Sequence, residues 1–335
     1  VSQQKYRQYI DPESGVVKRP TGTAWTDPFG DGVWRSSWFY ASLIVIQAKD
    51  AQLYTRLQME HEVDVSLAGT FLRYFRDHCI SDHGWRLPKN DSQQFSRDQL
   101  IPLLYLLEAV VAYAPQYTAI GKDILKSLSE LEEHGRGLSD TAKGQIGRNI
   151  GYLIDVLSDE ARYHFNYRTS DMTVWLIPAF GNINAAKGNR RAAYKQAFSL
   201  ALKAHQLTGW VELSGLKASD AYSVFNALAA VSLQCIAWGK DDSDVKEWRA
   251  NFKVYADDGW GSAFKIVAGR AVSETEIEQY RTAHVTREQD NDIIMAQRPR
   301  KIRDGVFDLS LAGGPGEWLV LDYVVLKSLD LLYQS

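Results

Sequence analysis

The chain lacks most of the features that fix a function quickly. Its 335 residues hold two cysteines, Cys79 and Cys235, each inside an apolar stretch. No disulfide framework is possible, and two buried thiols or a single bridge remain open. No run reaches the roughly eighteen apolar residues that span a bilayer. Neither sign of charge dominates, 38 basic residues standing against 41 acidic, so no global field draws in nucleic acid or a membrane surface. Metal and phosphate motifs are missing as well. His61-Glu62 has no second histidine at zinc-protease spacing, and no Cys/His spacing suggests structural zinc. Gly313-Gly314-Pro315-Gly316 lacks the preceding strand and following Lys-Ser/Thr of a phosphate loop. Asp241-Asp242-Ser243-Asp244 opens an amphipathic stretch and reads as a solvated cap rather than a metal site. No metal or cofactor is expected. The opening residues Val1-Ser2-Gln3-Gln4-Lys5 carry no signal-peptide pattern and leave export undecided.

What is abundant is aromatic surface and helical periodicity. Ten Trp and seventeen Tyr exceed the ordinary needs of packing, and flat rings suit stacking on sugars or bases. Val33 to Ala48, Leu100 to Tyr113, Met172 to Ala186, Ala221 to Trp238 and Trp318 to Leu332 are apolar around most of a helix circumference. Gln58 to Cys79, Ile120 to His134, Arg190 to His205 and Asp244 to Tyr255 carry one apolar stripe each. A helix apolar all round lies inside, and one with a stripe lies outside it. The order is inner, outer, inner, outer, with Thr141 to Tyr167 assigned to neither layer. Strand signals are scarce, Phe264 to Ala268 being the best. The expectation is an all-α chain of helical hairpins in two layers, a single domain over 1–335. Low periodicity from Gly259 to Leu311 predicts an irregular, lid-like insertion at about 257–315. Its run Arg298-Pro299-Arg300-Lys301-Ile302-Arg303 would suit an anionic glycan, or form a solvated patch.

Acidic residues stand at the openings of the inner segments: Asp31, Asp98, Asp171, Asp220 and Glu317. If these helices lie parallel, five carboxylates converge at one end, the arrangement a sugar-cleaving cleft needs. Helix capping alone would also put acids there. Arg35 lies one turn from Asp31 and could hold it ionised. Trp34 and Trp38 share that spacing and could form a stacking wall, or be core. Asp98 abuts a strongly apolar helix, where desolvation would favour a proton donor. Ser81-Asp82-His83-Gly84-Trp85-Arg86 and Ala256-Asp257-Asp258-Gly259-Trp260-Gly261 are turns bearing acids and tryptophans. Arg162 to Arg168, rich in Tyr and His, would suit a lyase, or be an aromatic helix end.

This pattern resembles the α/α-toroid carbohydrate-active enzymes, which include glycoside hydrolases and polysaccharide lyases. Asp31-Gly32-Val33-Trp34-Arg35-Ser36-Ser37-Trp38 and Ser96-Arg97-Asp98-Gln99-Leu100-Ile101-Pro102 carry the likeness. It implies an (α/α)5-6 toroid with its cleft at the N-terminal ends of the inner helices. The expected function is endo-acting hydrolysis of a polysaccharide, an acidic or bacterial exopolysaccharide among the candidates. Asp98 is the candidate acid and Asp31 the candidate base, with Asp171 and Asp258 behind them. An inverting pair stands roughly 6.5 to 9.5 Å apart, a retaining pair about 5 to 5.5 Å. Trp34, Arg35, Trp38, His83, Trp85, Arg97, Trp175, Trp260, Glu317 and Trp318 are the candidate substrate-binding residues. The mouth tryptophans should be partly exposed, whereas Trp210, Trp238 and Trp248 should pack. A uronate lyase and a non-catalytic glycan-binding protein are the alternatives. A monomer with a polysaccharide as its only partner is expected, exported if that polymer is extracellular.

Overall fold

The computed structural model describes residues 6–18, 29, 32–81, 84–85, 100–135, 220–253, 256, 262–278 and 319–334. Among these the chain forms helices α1 (Gly32–Lys49), α2 (Ala51–His61), α3 (Ser66–Tyr74), α4 (Leu100–Tyr113) and α5 (Thr118–Gly135). It continues with α6 (Asp220–Trp238), α7 (Ser243–Ala250), α8 (Ser262–Val267) and α9 (Leu319–Tyr333). Two-residue strands β1 (Ile80–Ser81) and β2 (Gly84–Trp85) pair antiparallel. The described chain is all-α in character.

Apolar patterning sorts these helices into two layers. In α1 every residue from Gly32 to Ile46 is buried. Burial is equally continuous over residues 102–110 of α4, 228–235 of α6 and 323–329 of α9. By contrast α2 buries only Leu53, Tyr54, Leu57 and His61, and α7 only Asp244, Val245 and Trp248. Helices apolar all round are inside and striped ones cover them, as their sequences require.

The inner four run in one direction. α1 packs against α4 and α9, and α6 against α4 and, less extensively, α9. Near the end of α6 the Cys235 thiol donates to the Leu332 carbonyl at 3.6 Å, and the Tyr333 hydroxyl lies 3.2 Å from Ser232 Oγ. Lys49 and Tyr113, the last residues of α1 and α4, lie within electrostatic reach of the same thiol. Midway, Ser328 Oγ meets Ser42 Oγ at 2.9 Å, and the Trp38 and Tyr105 rings are 5.2 Å apart. Four C-terminal ends therefore gather around Cys235, and four N-terminal ends lie at the opposite face.

Outer helices make the return journeys. After a four-residue link, α5 folds back on α4, with Gly121 against Leu107 and Val110. α3 runs alongside α5: Gly69 sits under the Tyr117 ring, and further along Arg76 pairs with Asp123 at 3.5 Å. A π-helical turn, Phe75–Cys79, then delivers the β1–β2 hairpin to the end where the inner helices begin.

Two expectations need correction. Gln58 to Cys79 is not one helix, because Glu62 closes α2 in the left-handed region at φ 54°. The Asp64 carboxylate then accepts from the Ser66 amide at 2.8 Å, and the Tyr54 hydroxyl from the Val65 amide at 3.0 Å. The stripe Val63, Phe71, Leu72 and Phe75 survives the break because both pieces cover one core. The strand expected over Phe264 to Ala268 is instead α8, since a short apolar run does not reveal its own period. Here α8 buries Ala263, Phe264, Ile266 and Val267 against α9 and its surroundings. Within the expected insertion, residues 262–267 and 274–278 are helical, and residues 279–315 lie outside the described set. So do Thr141 to Tyr167, Met172 to Ala186 and Arg190 to His205.

Candidate functional site

The end at which α1, α4, α6 and α9 begin is the candidate site. Each helix N-terminus carries roughly half a positive charge, so four parallel helices add their fields there. Such a field favours ionised carboxylates and suits a base or a nucleophile. A proton donor at the same place needs desolvation to oppose it. In the sequence Asp31 immediately precedes α1, Asp98 stands two residues before α4, Asp220 is the first residue of α6, and Glu317 stands two before α9. Asp31, Asp98, Asp171, Asp258, His83, Arg97, Trp175, Trp260, Glu317 and Trp318 themselves lie outside the described residues, as does the Trp85 side chain.

Three candidates are described, and all are buried. Trp34, Arg35 and Trp38 are 2%, 0% and 0% exposed. The partial exposure expected of Trp34 and Trp38 as a stacking wall is not found. Their rings pack on each other at 6.2 Å, and Trp38 continues onto Tyr105. The physical reason is that α1 is covered on every side from Gly32 to Ile46. Trp248 packs as expected, and Trp238 is partly buried against the core. Trp210 is outside the described residues.

Arg35 has a role that helix spacing did not suggest. Its Nε donates to the Val17 carbonyl at 3.0 Å, while the Val17 amide donates to Ser36 Oγ at 2.9 Å. Residues 6–18 form a strap along the first half of α1, closed on itself by an Ile10–Val17 bridge. Gly15, at φ +68°, brings the strap so close to α3 that a Cβ there would lie 2.7 Å from the Phe71 amide. The Tyr40 hydroxyl donates to the Gly15 carbonyl. The N-terminal strap thus covers the first half of α1.

No protein-family model, curated protein or solved structure matches this chain. The reading of the site therefore rests on its own chemistry.

Below the mouth the core is polar in a narrow seam. Tyr105, Ser42 and Ser328 face one another between α1, α4 and α9. Burial pushes the Tyr105 hydroxyl well up, and the nearby Ser328 and Ser42 hydroxyls only partly offset it. Trp38 Nε1 and Ser37 Oγ are buried with no hydrogen-bond partner among the described residues. Sequence inspection passed over this seam, although Ser36, Ser37 and Ser42 within so apolar a helix were its signal. The strap was signalled too, by Asp11-Pro12-Glu13-Ser14-Gly15, a turn followed by two valines. Among the described residues no group of three His, Cys, Asp or Glu could hold a metal ion, and no helix is long and apolar enough to cross a membrane. Asp242 caps α7, accepting from the Asp244 and Val245 amides at 2.9 and 3.4 Å, so the Asp241–Asp244 run is a cap.

Proposed function

We propose that this chain is a polysaccharide hydrolase built as an α/α toroid, with its cleft at the shared N-terminal end of the inner helices. One observation carries the reading: four helices, buried over most of their described length, run parallel, and acids stand at or just before the start of each. A pure capping role explains any one of these acids. It does not require the four helices to share a direction, and convergence is what two-carboxylate chemistry needs. Asp98, next to the most apolar inner helix, is proposed as the acid that protonates the leaving oxygen. Asp31, at the helix end nearest Arg35, is proposed as the carboxylate that activates water. Asp171 and Asp258 stand behind them. Stacking falls to Trp85, Trp175, Trp260 and Trp318, because Trp34 and Trp38 are packed.

A second reading, a helical protein without catalysis, draws support from the burial of those two tryptophans. Incubation with a panel of neutral and acidic polysaccharides separates the readings. New reducing ends support hydrolysis, new absorbance near about 235 nm would mean elimination through a proton-abstracting base, and neither leaves the non-catalytic protein. Asp31→Asn and Asp98→Asn should each lower cleavage by at least about a hundredfold, the usual worth of general acid–base catalysis. Thermal stability should hardly change, since Asn also caps helices. Near-wild-type rates in both variants would remove these acids from the mechanism.

A further inference from the structure

Residues 271–278 lie across α8 and α9 and are fastened mainly by three carboxylates. Glu274 pairs with Lys327 of α9. Glu276 Oε1 accepts from Ser262 Oγ at 2.6 Å and from Lys265 Nζ at 3.0 Å, both on α8. Glu278 Oε1 accepts from the Tyr323 hydroxyl of α9 at 2.8 Å and stands 3.9 Å from Arg56 of α2. One short segment thus ties the second helix of the chain to its last. Only Val272 and Ile277 anchor it through apolar burial. The carboxylates stay wet, with Glu274, Glu276 and Glu278 side chains 62%, 32% and 26% exposed.

We propose that residues 271–278 form a charge-fastened clasp that opens as a unit, leaving the four inner helices folded, when its carboxylates are protonated or its ion pairs are screened. Partly exposed pairs are individually weak and salt-sensitive. Segments with few apolar contacts open below the cost of global unfolding. Burial raises the Glu276 carboxyl, but hydrogen bonds from Ser262 and Lys265 outweigh it and hold the group below the usual value. A depressed carboxylate stabilises the closed form above its unfolded pKa, near about 4.3 for Glu, and that stabilisation is lost as pH falls through the folded value. Asp330 works in the opposite sense: burial raises its carboxyl, Lys327 lowers it and Glu274 raises it.

Hydrogen exchange on the full chain tests this, read as protection factors so that intrinsic rates cancel. In about 1 M salt, where screening shortens to a few ångströms, protection over 271–278 should fall at least about tenfold while α1 and α4 peptides hold. The same local loss should appear on acidification to about pH 3, below the ordinary Glu value. Glu276→Gln should show a smaller loss, up to about fivefold, already at neutral pH and respond less to acid, and Lys265→Gln should reproduce that phenotype from the other side of the pair. Protection over 271–278 that stays constant, or that changes only in step with α1 and α4, would overturn the clasp.

Discussion

Two short segments brace this bundle, and they are fastened by opposite means. The strap, residues 6–18, lies under cover: Ser14 and Val16 are wholly buried, and Tyr6 stacks on Phe39 at 4.7 Å. Its fasteners are buried hydrogen bonds to Arg35, Ser36 and Tyr40. The clasp, residues 271–278, uses carboxylates that water still reaches. Buried hydrogen bonds contribute modestly when made but are costly to leave half-made. Exposed ion pairs contribute little either way and answer to salt. The comparison separates a permanent attachment from a releasable one.

The strongest blow to the strap is Gly15→Ala. That residue combines φ +68° with a Cβ that would lie 2.7 Å from the Phe71 amide and 2.8 Å from the Leu67 carbonyl. Left-handed strain and overpacking together should cost about 3 kcal/mol, read as a lowered urea midpoint. An unchanged midpoint would mean that the strap does not pass between α1 and α3. Next comes Tyr40→Phe, which leaves the Gly15 carbonyl without its buried donor. About 1 to 2 kcal/mol should be lost, equally at low and high salt. Smallest is Glu276→Gln at the clasp, expected to cost less than about 1 kcal/mol in low salt and almost nothing in high salt. Lowering pH should narrow the gap between wild type and this variant, because the wild-type carboxylate loses its charge as pH falls through its depressed value. If Tyr40→Phe proves as salt-sensitive as Glu276→Gln, the contrast between the two segments collapses.

The layer assignment was legible because periodicity reports coverage directly. Residues apolar on all faces, as in α1 and α4, had nowhere to go but inside. The break between α2 and α3 was not legible, since Val63, Phe71 and Phe75 keep one stripe while Glu62 turns left-handed for local reasons. Nor was the state of Phe264, Ile266 and Val267, whose short apolar run fits helix and strand alike until its neighbours are known. At the candidate site the sequence located the inner-helix openings but misjudged what surrounds α1. Trp34 and Trp38 carry no mark that distinguishes a stacking face from a core face. Arg35 reads as a partner for Asp31 by spacing, yet its Nε reaches Val17, which is eighteen residues away in sequence. Long-range partners of that kind leave no local signature.

Both cysteines are free and buried, and burial raises each thiol to about 12. Cys79 closes the π turn beside the hairpin, and Cys235 marks the place where the inner helices end. Only a thiolate attacks an alkylating reagent readily, so in the folded chain both sulfurs should be nearly inert. Each becomes reactive only when its own neighbourhood opens. The chain therefore carries two native chemical clocks, one at each pole of the bundle. Their labelling rates, separated by single Cys→Ser variants, give independent readings of how often each pole breathes.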